Sequence, residues 1–163
     1  MTTGDKGAAP PPGLDGSGLR IGVVRARWNA HIVDRLAQGV GRGLADLGVD
    51  PSDVVDETVP GSFELPMGAR VLAASGEVDA VVCLGCVIRG ETSHYELVAG
   101  EAAAGIQQVQ LTTGVPVAFG ILTTEDEQQA LDRSEGPGGH NVGEDAAVVA
   151  VEMARLAQRH RRA

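Results

Sequence analysis

The chain has 163 residues, 43% of them hydrophobic but only 2% aromatic. That length suits a single domain whose core is built from Val, Leu, Ile and Ala. A formal net charge of −9 excludes the basic face of a non-specific nucleic-acid binder, but not a small anionic ligand, which feels only its local site. No apolar run reaches the ~18 residues that a membrane-spanning helix needs. The N-terminus shows no basic start leading into an apolar segment, so a cytoplasmic protein without a membrane partner is expected.

Residues 1–18, rich in Gly, Pro, Ala and Thr, read as a tail that is disordered or ordered by a partner subunit. An α/β domain is expected over residues 19–158, followed by a basic tail at 159–163. Residues 19–24 form a short β-branched run and predict the first strand. Asn29 is a candidate cap for the helix that follows. Ile32, Val33, Leu36, Val40, Leu44 and Leu47 recur at helical spacing, and Gly48 suits the position just past the helix end.

A turn at 51–53 leads to a second strand over 54–59, broken by Pro60 and Gly61. Pro66 suits the first turn of a helix that stops at Gly76. Residues 80–88 are apolar almost without interruption, which marks a strand buried on both faces of a parallel sheet. A long helical stretch follows Arg89 and Gly90 and reaches about Thr113. Residues 115–122 predict another strand. Thr124 and Glu127 have the spacing of a capping box, ahead of a short helix ending at Arg133. A glycine-rich loop over 134–143 precedes the last helix, 144–158. Arg159, Arg161 and Arg162 complement the dipole at its end. Strand and helix alternate throughout, which predicts parallel strands, right-handed crossovers and helices on both sheet faces.

Ligands in such sheets bind beyond the carboxyl ends of the strands. The segment after the buried strand is the richest there. Gly90 lets backbone approach a ligand, Thr92 adds a hydroxyl, and a helix N-terminus offers free amides to an anion. The plainer reading is that Gly90 turns the chain and Thr92 caps the helix. His94 lies in the first helical turn, where the dipole favours a neutral ring able to take and give a proton; a lone histidine there is more often a surface side chain than a catalyst. Glu64, at the mouth of the second strand, is either a ligand for hydroxyls or a charge beside a helix start. Trp28 and Phe119 fall at or near strand ends, placed either to stack on a planar heterocycle or to pack. Arg133 and Arg89 each read as a phosphate grip or as a solvated arginine. Cys83 and Cys86 spell CxxC, but residues three apart on a strand point to opposite faces, so both are expected as buried hydrophobes. The histidines show no ligand spacing, so no metal site is expected.

Taken in order, these segments resemble lumazine synthase over about residues 19–156. The resemblance is carried by Arg27-Trp28-Asn29, by the run from Val59 to Pro66, by Leu84 through Tyr95 with its Arg89-Gly90-Glu91-Thr92-Ser93-His94, by Thr113 through Thr124, and by Glu127 through Arg133. It implies a flavodoxin-like three-layer sandwich around a mainly parallel four-stranded sheet, with no metal or organic cofactor. It implies condensation of 5-amino-6-ribitylaminouracil with 3,4-dihydroxy-2-butanone 4-phosphate. By analogy Trp28 stacks on the pyrimidine, and Ser62, Phe63 and Glu64 line the ribityl site. Backbone at Val87 and Ile88 holds the ring edge, Gly90, Glu91 and Thr92 form the phosphate loop, and His94 moves protons. Phe119 and Arg133 are expected from a neighbouring subunit, Arg133 on the phosphate, in a homo-oligomer built from pentamers. One residue departs from the family pattern. The family loop carries a lysine just before a glycine, and Val142 stands there, beside His140 and Asn141. That departure keeps an alternative open, a weakly active or inactive relative that binds flavin or lumazine or forms a shell.

Overall fold

The unbroken apolar run of residues 80–88 becomes the spine of the sheet. A computed structural model describes residues 9–161. Residues 1–8 of the expected N-terminal tail, and 162–163 of the expected basic tail, lie outside the described residues. The strands are β1 (Ile21–Ala26), β2 (Val54–Val59), β3 (Ala80–Ile88) and β4 (Val117–Thr124). They form one four-stranded sheet in the order β2-β1-β3-β4, with every neighbour parallel. The helices are α1 (Ala30–Asp46), α2 (Leu65–Ala74), α3 (His94–Thr113), the short α4 (Glu127–Leu131) and α5 (Val142–Arg159). This is the expected flavodoxin-like sandwich.

Two cores lie on the two faces of the sheet. Ile21, Val23, Val82, Leu84 and Leu122 pack with α1 and α5 on one face. Val24, Val81, Cys83 and Ile121 pack with α2 and α3 on the other. Strand residues alternate between the faces, so β3, covered on both, can carry no polar side chain. All but the last of its residues are buried.

α1 and α5 touch at nearly backbone distance. A Cβ at Gly143 would sit 2.1 Å from Leu36 O, and one at Gly43 would sit 3.0 Å from the Ala147 Cβ. Ala146, Ala147, Ala150 and Ala154 line the facing side of α5. Small residues on both helices therefore set the spacing.

Boundaries differ from expectation in places, each for a local reason. Asn29 stands at the N-cap of α1, but its side chain makes no capping bond; it is left-handed (φ 58°) and donates to Cys86 O at 2.8 Å. The cap of α4 is Asp126, whose carboxylate accepts from Gln129 N, and not Thr124. Thr124 is the last, buried residue of β4 and pairs in register with Ile88. Packing also begins before residue 19. Leu14 packs on the α1/α5 core, Gly16 N donates to Leu47 O, and Arg155 donates to the carbonyls of Asp15 and Ser17. Gly48 (φ 83°) and Gly76 (φ 77°) end their helices in left-handed conformation, as expected.

Asn141 fastens the glycine-rich loop to α1. It is 2% exposed, accepts from Glu144 N as the cap of α5, and donates to the carbonyls of Arg35 and Glu135. Removing it leaves buried groups unpaired and a helix uncapped. Asn141→Ala is expected to lose about 3 kcal/mol of stability, read as a lower urea midpoint for unfolding with an unchanged slope.

Candidate functional site

The site begins with a mismatch in strand length. β1 pairs with β3 only as far as Arg25↔Leu84, whereas β3 continues to Ile88. Backbone groups on a parallel strand alternate between its two neighbours. Arg89 N donates to β4 at Thr124 O, and Cys86 O receives the Asn29 amide from the β1 side. Ile88 shares the parity of Cys86, so its peptide edge faces the space where β1 has ended. A planar heterocycle with donors and acceptors on one edge fits such a free strand edge.

An open cleft of about 660 Å³ lies there, at the carboxyl ends of the strands where the strand order reverses. The turn after β1 supplies Trp28 and Asn29, and the turn after β2 supplies Pro60 to Glu64. Cys86, Val87 and Ile88 close the floor, and the first turns of α3 supply His94, Leu97 and Val98. The Trp28 turn is held by its own backbone: Arg27 N donates to Val59 O and Trp28 N to Pro60 O. The two turns are therefore bonded to each other. Trp28 and Phe63 are 74% and 60% exposed at the rim, an arrangement that favours stacking on a ligand over core packing. Glu64 is exposed beside them, while Ser62 is buried against β3, where a Cβ at Gly85 would come 2.4 Å from its hydroxyl. Glycine at 85 is what lets that turn sit down on the strand.

His94 is the first residue of α3 and is exposed. Ser93, at the N-cap, makes no capping bond, and Thr92 accepts only a long bond, 3.3 Å, from His94 N. The amides of this helix start are thus lightly used, and anions are favoured there. Gly90, Glu91 and Thr92 lie exposed just outside the cleft rather than lining it. A Cβ at Gly90 would meet nothing within 4 Å, so no contact inside this chain requires glycine at that position.

Arg89 is exposed, but its guanidinium is engaged by neighbouring side chains. It pairs with Glu96 and with Glu125 (2.8 Å) and lies 4.2 Å from the centroid of the Tyr95 ring. Mutual hydrogen bonding pushes the Glu96 carboxyl below its ordinary range. Phe119 and Arg133 do not line the cleft of their own chain. Phe119 is 45% exposed in the edge strand β4. Arg133 follows α4 and donates to Gln129 O at 2.9 Å.

With this geometry in place, comparison with known proteins decides the family. The 6,7-dimethyl-8-ribityllumazine synthase family model matches residues 18–158. The 6,7-dimethyl-8-ribityllumazine synthases of Paraburkholderia phytofirmans and Paraburkholderia xenovorans are each 49% identical over 146 residues, covering 90% of this chain and 84% of theirs. That of Paraburkholderia phymatum is 48% identical, covering 90% of this chain and 82% of its own. The chain belongs to the 6,7-dimethyl-8-ribityllumazine synthase family.

Of the residues expected from the lumazine synthase resemblance, the cleft brings together Trp28, Ser62, Phe63, Glu64, Val87, Ile88 and His94. Asn29, Pro60, Gly61 and Cys86 also line the cleft, as do Leu97 and Val98, which sequence reasoning missed. Leu97 and Val98 stand three and four residues after His94, the spacing that shares a helix face, so that signal was present. At the departure from the lumazine synthase loop, Val142 begins α5 and packs on the α1/α5 core. Asn141 is fixed in its structural bonds, and His140 is exposed, 3.7 Å from Asp145. A smaller groove of about 290 Å³ between α1 and β2 is mostly apolar, and its Arg25 and Asp56 already pair with each other.

The CxxC cysteines do lie on opposite faces, Cys83 in the α2/α3 core and Cys86 in the α1/α5 core. Burial pushes the Cys83 thiol up to about 12; burial, with Glu127 adding to it, pushes Cys86 up to about 11. Raised values mean that the reactive thiolate is scarce below them, about one part in a thousand for Cys86 at pH 8. An aromatic disulfide reagent at pH 8 is expected to find no reactive thiol in the native protein and both free cysteines after denaturation.

Proposed function

We propose that this chain is an active 6,7-dimethyl-8-ribityllumazine synthase, condensing 5-amino-6-ribitylaminouracil with 3,4-dihydroxy-2-butanone 4-phosphate. The observation that carries the proposal is the convergence, in one family member, of an exposed Trp28, a free strand edge at Ile88 and His94 around a single cleft. The pyrimidine stacks on Trp28 with its edge on Ile88 backbone, and Val87 packs beneath it. The ribityl hydroxyls meet Ser62, Phe63 and the Glu64 carboxylate. The phosphate lies over Gly90, Glu91 and Thr92 at the start of α3, where backbone can approach a glycine with no contact of its own.

The ring amine attacks the ketone and, with loss of water, forms an imine. Phosphate then leaves by elimination, and the ribitylamino nitrogen closes the second ring with loss of another water. His94, beside both the ring and the phosphate, takes and returns the protons that these steps move. Holding two reactants in register supplies much of the rate by itself, so no strong nucleophile is required.

The reading includes a homo-oligomer built from pentamers in which a neighbour's Phe119 and Arg133 complete the site. Their absence from their own chain's cleft, and the 45% exposure of Phe119, support it. A cytoplasmic location belongs to the same reading, since both substrates are small and water-soluble. Val142 favours a second reading, a relative that holds lumazine or flavin or only assembles, because a half-buried valine in the α1/α5 core supplies no charge to the pyrimidine.

The test is lumazine formation followed by absorbance on the assembled protein. Rates well above the spontaneous reaction are expected, with kcat falling roughly a hundredfold in His94→Ala. Arg133→Ala is expected to raise KM for the sugar phosphate most, and Trp28→Ala that for the pyrimidine. A correctly assembled oligomer that gives no acceleration, and gains it on Val142→Lys, establishes the second reading instead.

A further inference from the structure

Residues 89–93 carry the chain from β3 to α3 with no regular structure and lie exposed. Such a loop, and the helix turn that it leads into, frays unless something ties it down. One residue supplies ties through both its backbone and its side chain. Arg89 N donates to Thr124 O at the end of β4 (2.8 Å). Its guanidinium bonds Glu96 in the first turn of α3 and Glu125 in the loop after β4, and lies over the Tyr95 ring. Tyr95 and Glu96 directly follow His94. The arginine fork is thus spent on two carboxylates and turned away from the phosphate role that the sequence allowed it.

We infer that Arg89 is a positioning residue: it clamps the first turn of α3 to the end of β4 and so fixes His94 and the neighbouring helix amides over the cleft. This rests on the proposed synthase reading for its consequence in catalysis, but not for its geometry. The clamp needs a planar fork that reaches two acids and stacks on a ring at once, which lysine does not offer. Because the ion pairs are solvent-exposed, they add little to global stability. A clamp of this kind separates rate from stability.

The experiment uses Arg89→Gln, Arg89→Lys, Glu125→Gln and the Arg89→Gln/Glu125→Gln double variant of the full chain. Steady-state kinetics, melting temperature and amide hydrogen exchange are measured on each. Each single variant is expected to lower kcat about tenfold with KM for the pyrimidine substrate nearly unchanged, and the double variant to be no worse than the worse single one. The melting temperature moves by no more than about 4 °C. Exchange in peptides covering residues 89–97 speeds by about tenfold while the rest of the chain is unaffected. If Glu125→Gln leaves kcat intact and tightens inorganic phosphate, or if Arg89→Lys restores the rate, Arg89 acts by charge and the positioning role is overturned. Unchanged exchange at 89–97 overturns it as well. An inactive wild-type protein whose exchange responds as described refutes the synthase reading and leaves the clamp standing.

Discussion

β3 needs apolar cover on both faces and a hydrogen-bonding partner along both edges, and it obtains only the first over its whole length. The cover comes from α1 and α5 on one side and α2 and α3 on the other. The partner on the β1 side ends at Leu84. A buried strand edge with no partner is costly, and Asn29 takes up one of its carbonyls by adopting the left-handed conformation that asparagine tolerates better than most residues. Trp28, the residue before it, is exposed at the rim, with its N–H donated to Pro60 O. The residue that satisfies the strand is thus the chain neighbour of the aromatic rim, which places floor and rim of the cleft side by side.

Those parts of the fold governed by local periodicity were legible in the sequence. The run at 80–88 was readable because burial on both faces removes every polar residue. The helical spacing from Ile32 to Leu47 was readable because one stripe faces one core. What escaped was decided by contacts between distant segments. Nothing near Asn29 in sequence says that its amide will reach Cys86, 57 residues away, instead of capping its own helix. Asp126 displaced Thr124 as a cap because β4 stays paired with β3 through Thr124, a register that only the sheet sets. Residues 14–17 read as tail because Gly and Pro surround them, yet Leu14 packs on the α1/α5 core, Gly16 meets Leu47 and Val49, and Arg155 bonds the carbonyls of Asp15 and Ser17. For the site, motif order supplied the cleft residues, and the ties of Arg89 stayed hidden because Glu125 lies on another element.

The loop before α5 shows how structural demands confine a binding position. Gly143 is pressed against Leu36 O and Asn141 against Gly39, where an added Cβ would come 2.1 Å from the Asn141 Oδ1. The helix cap, the loop and the glycine face of α1 thus pack in close contact, with Val142 between Asn141 and Gly143. Its N–H donates to Arg133 O. Position 142 and Arg133 are therefore mechanically coupled.

The aromatic residues complete the physical picture. The chain has one Trp, one Tyr and two Phe, and none belongs to the buried core. Aliphatic and alanine side chains fill both cores, as the small spacing between α1 and α5 demands. The aromatics have instead gone to Trp28 and Phe63 on the rim, Phe119 on the open edge of the sheet, and Tyr95 beneath Arg89. Aromatic side chains carry the largest apolar area per residue, and leaving Trp28 at 74% exposure and Phe63 at 60% forgoes that gain in the isolated chain. The gain is recovered only when something flat or apolar arrives to cover them. Stability and recognition are therefore assigned to different residue classes here. The aliphatic cores hold the strand ends in place whether or not the cleft is filled, and Trp28 and Phe63 contribute chiefly once it is.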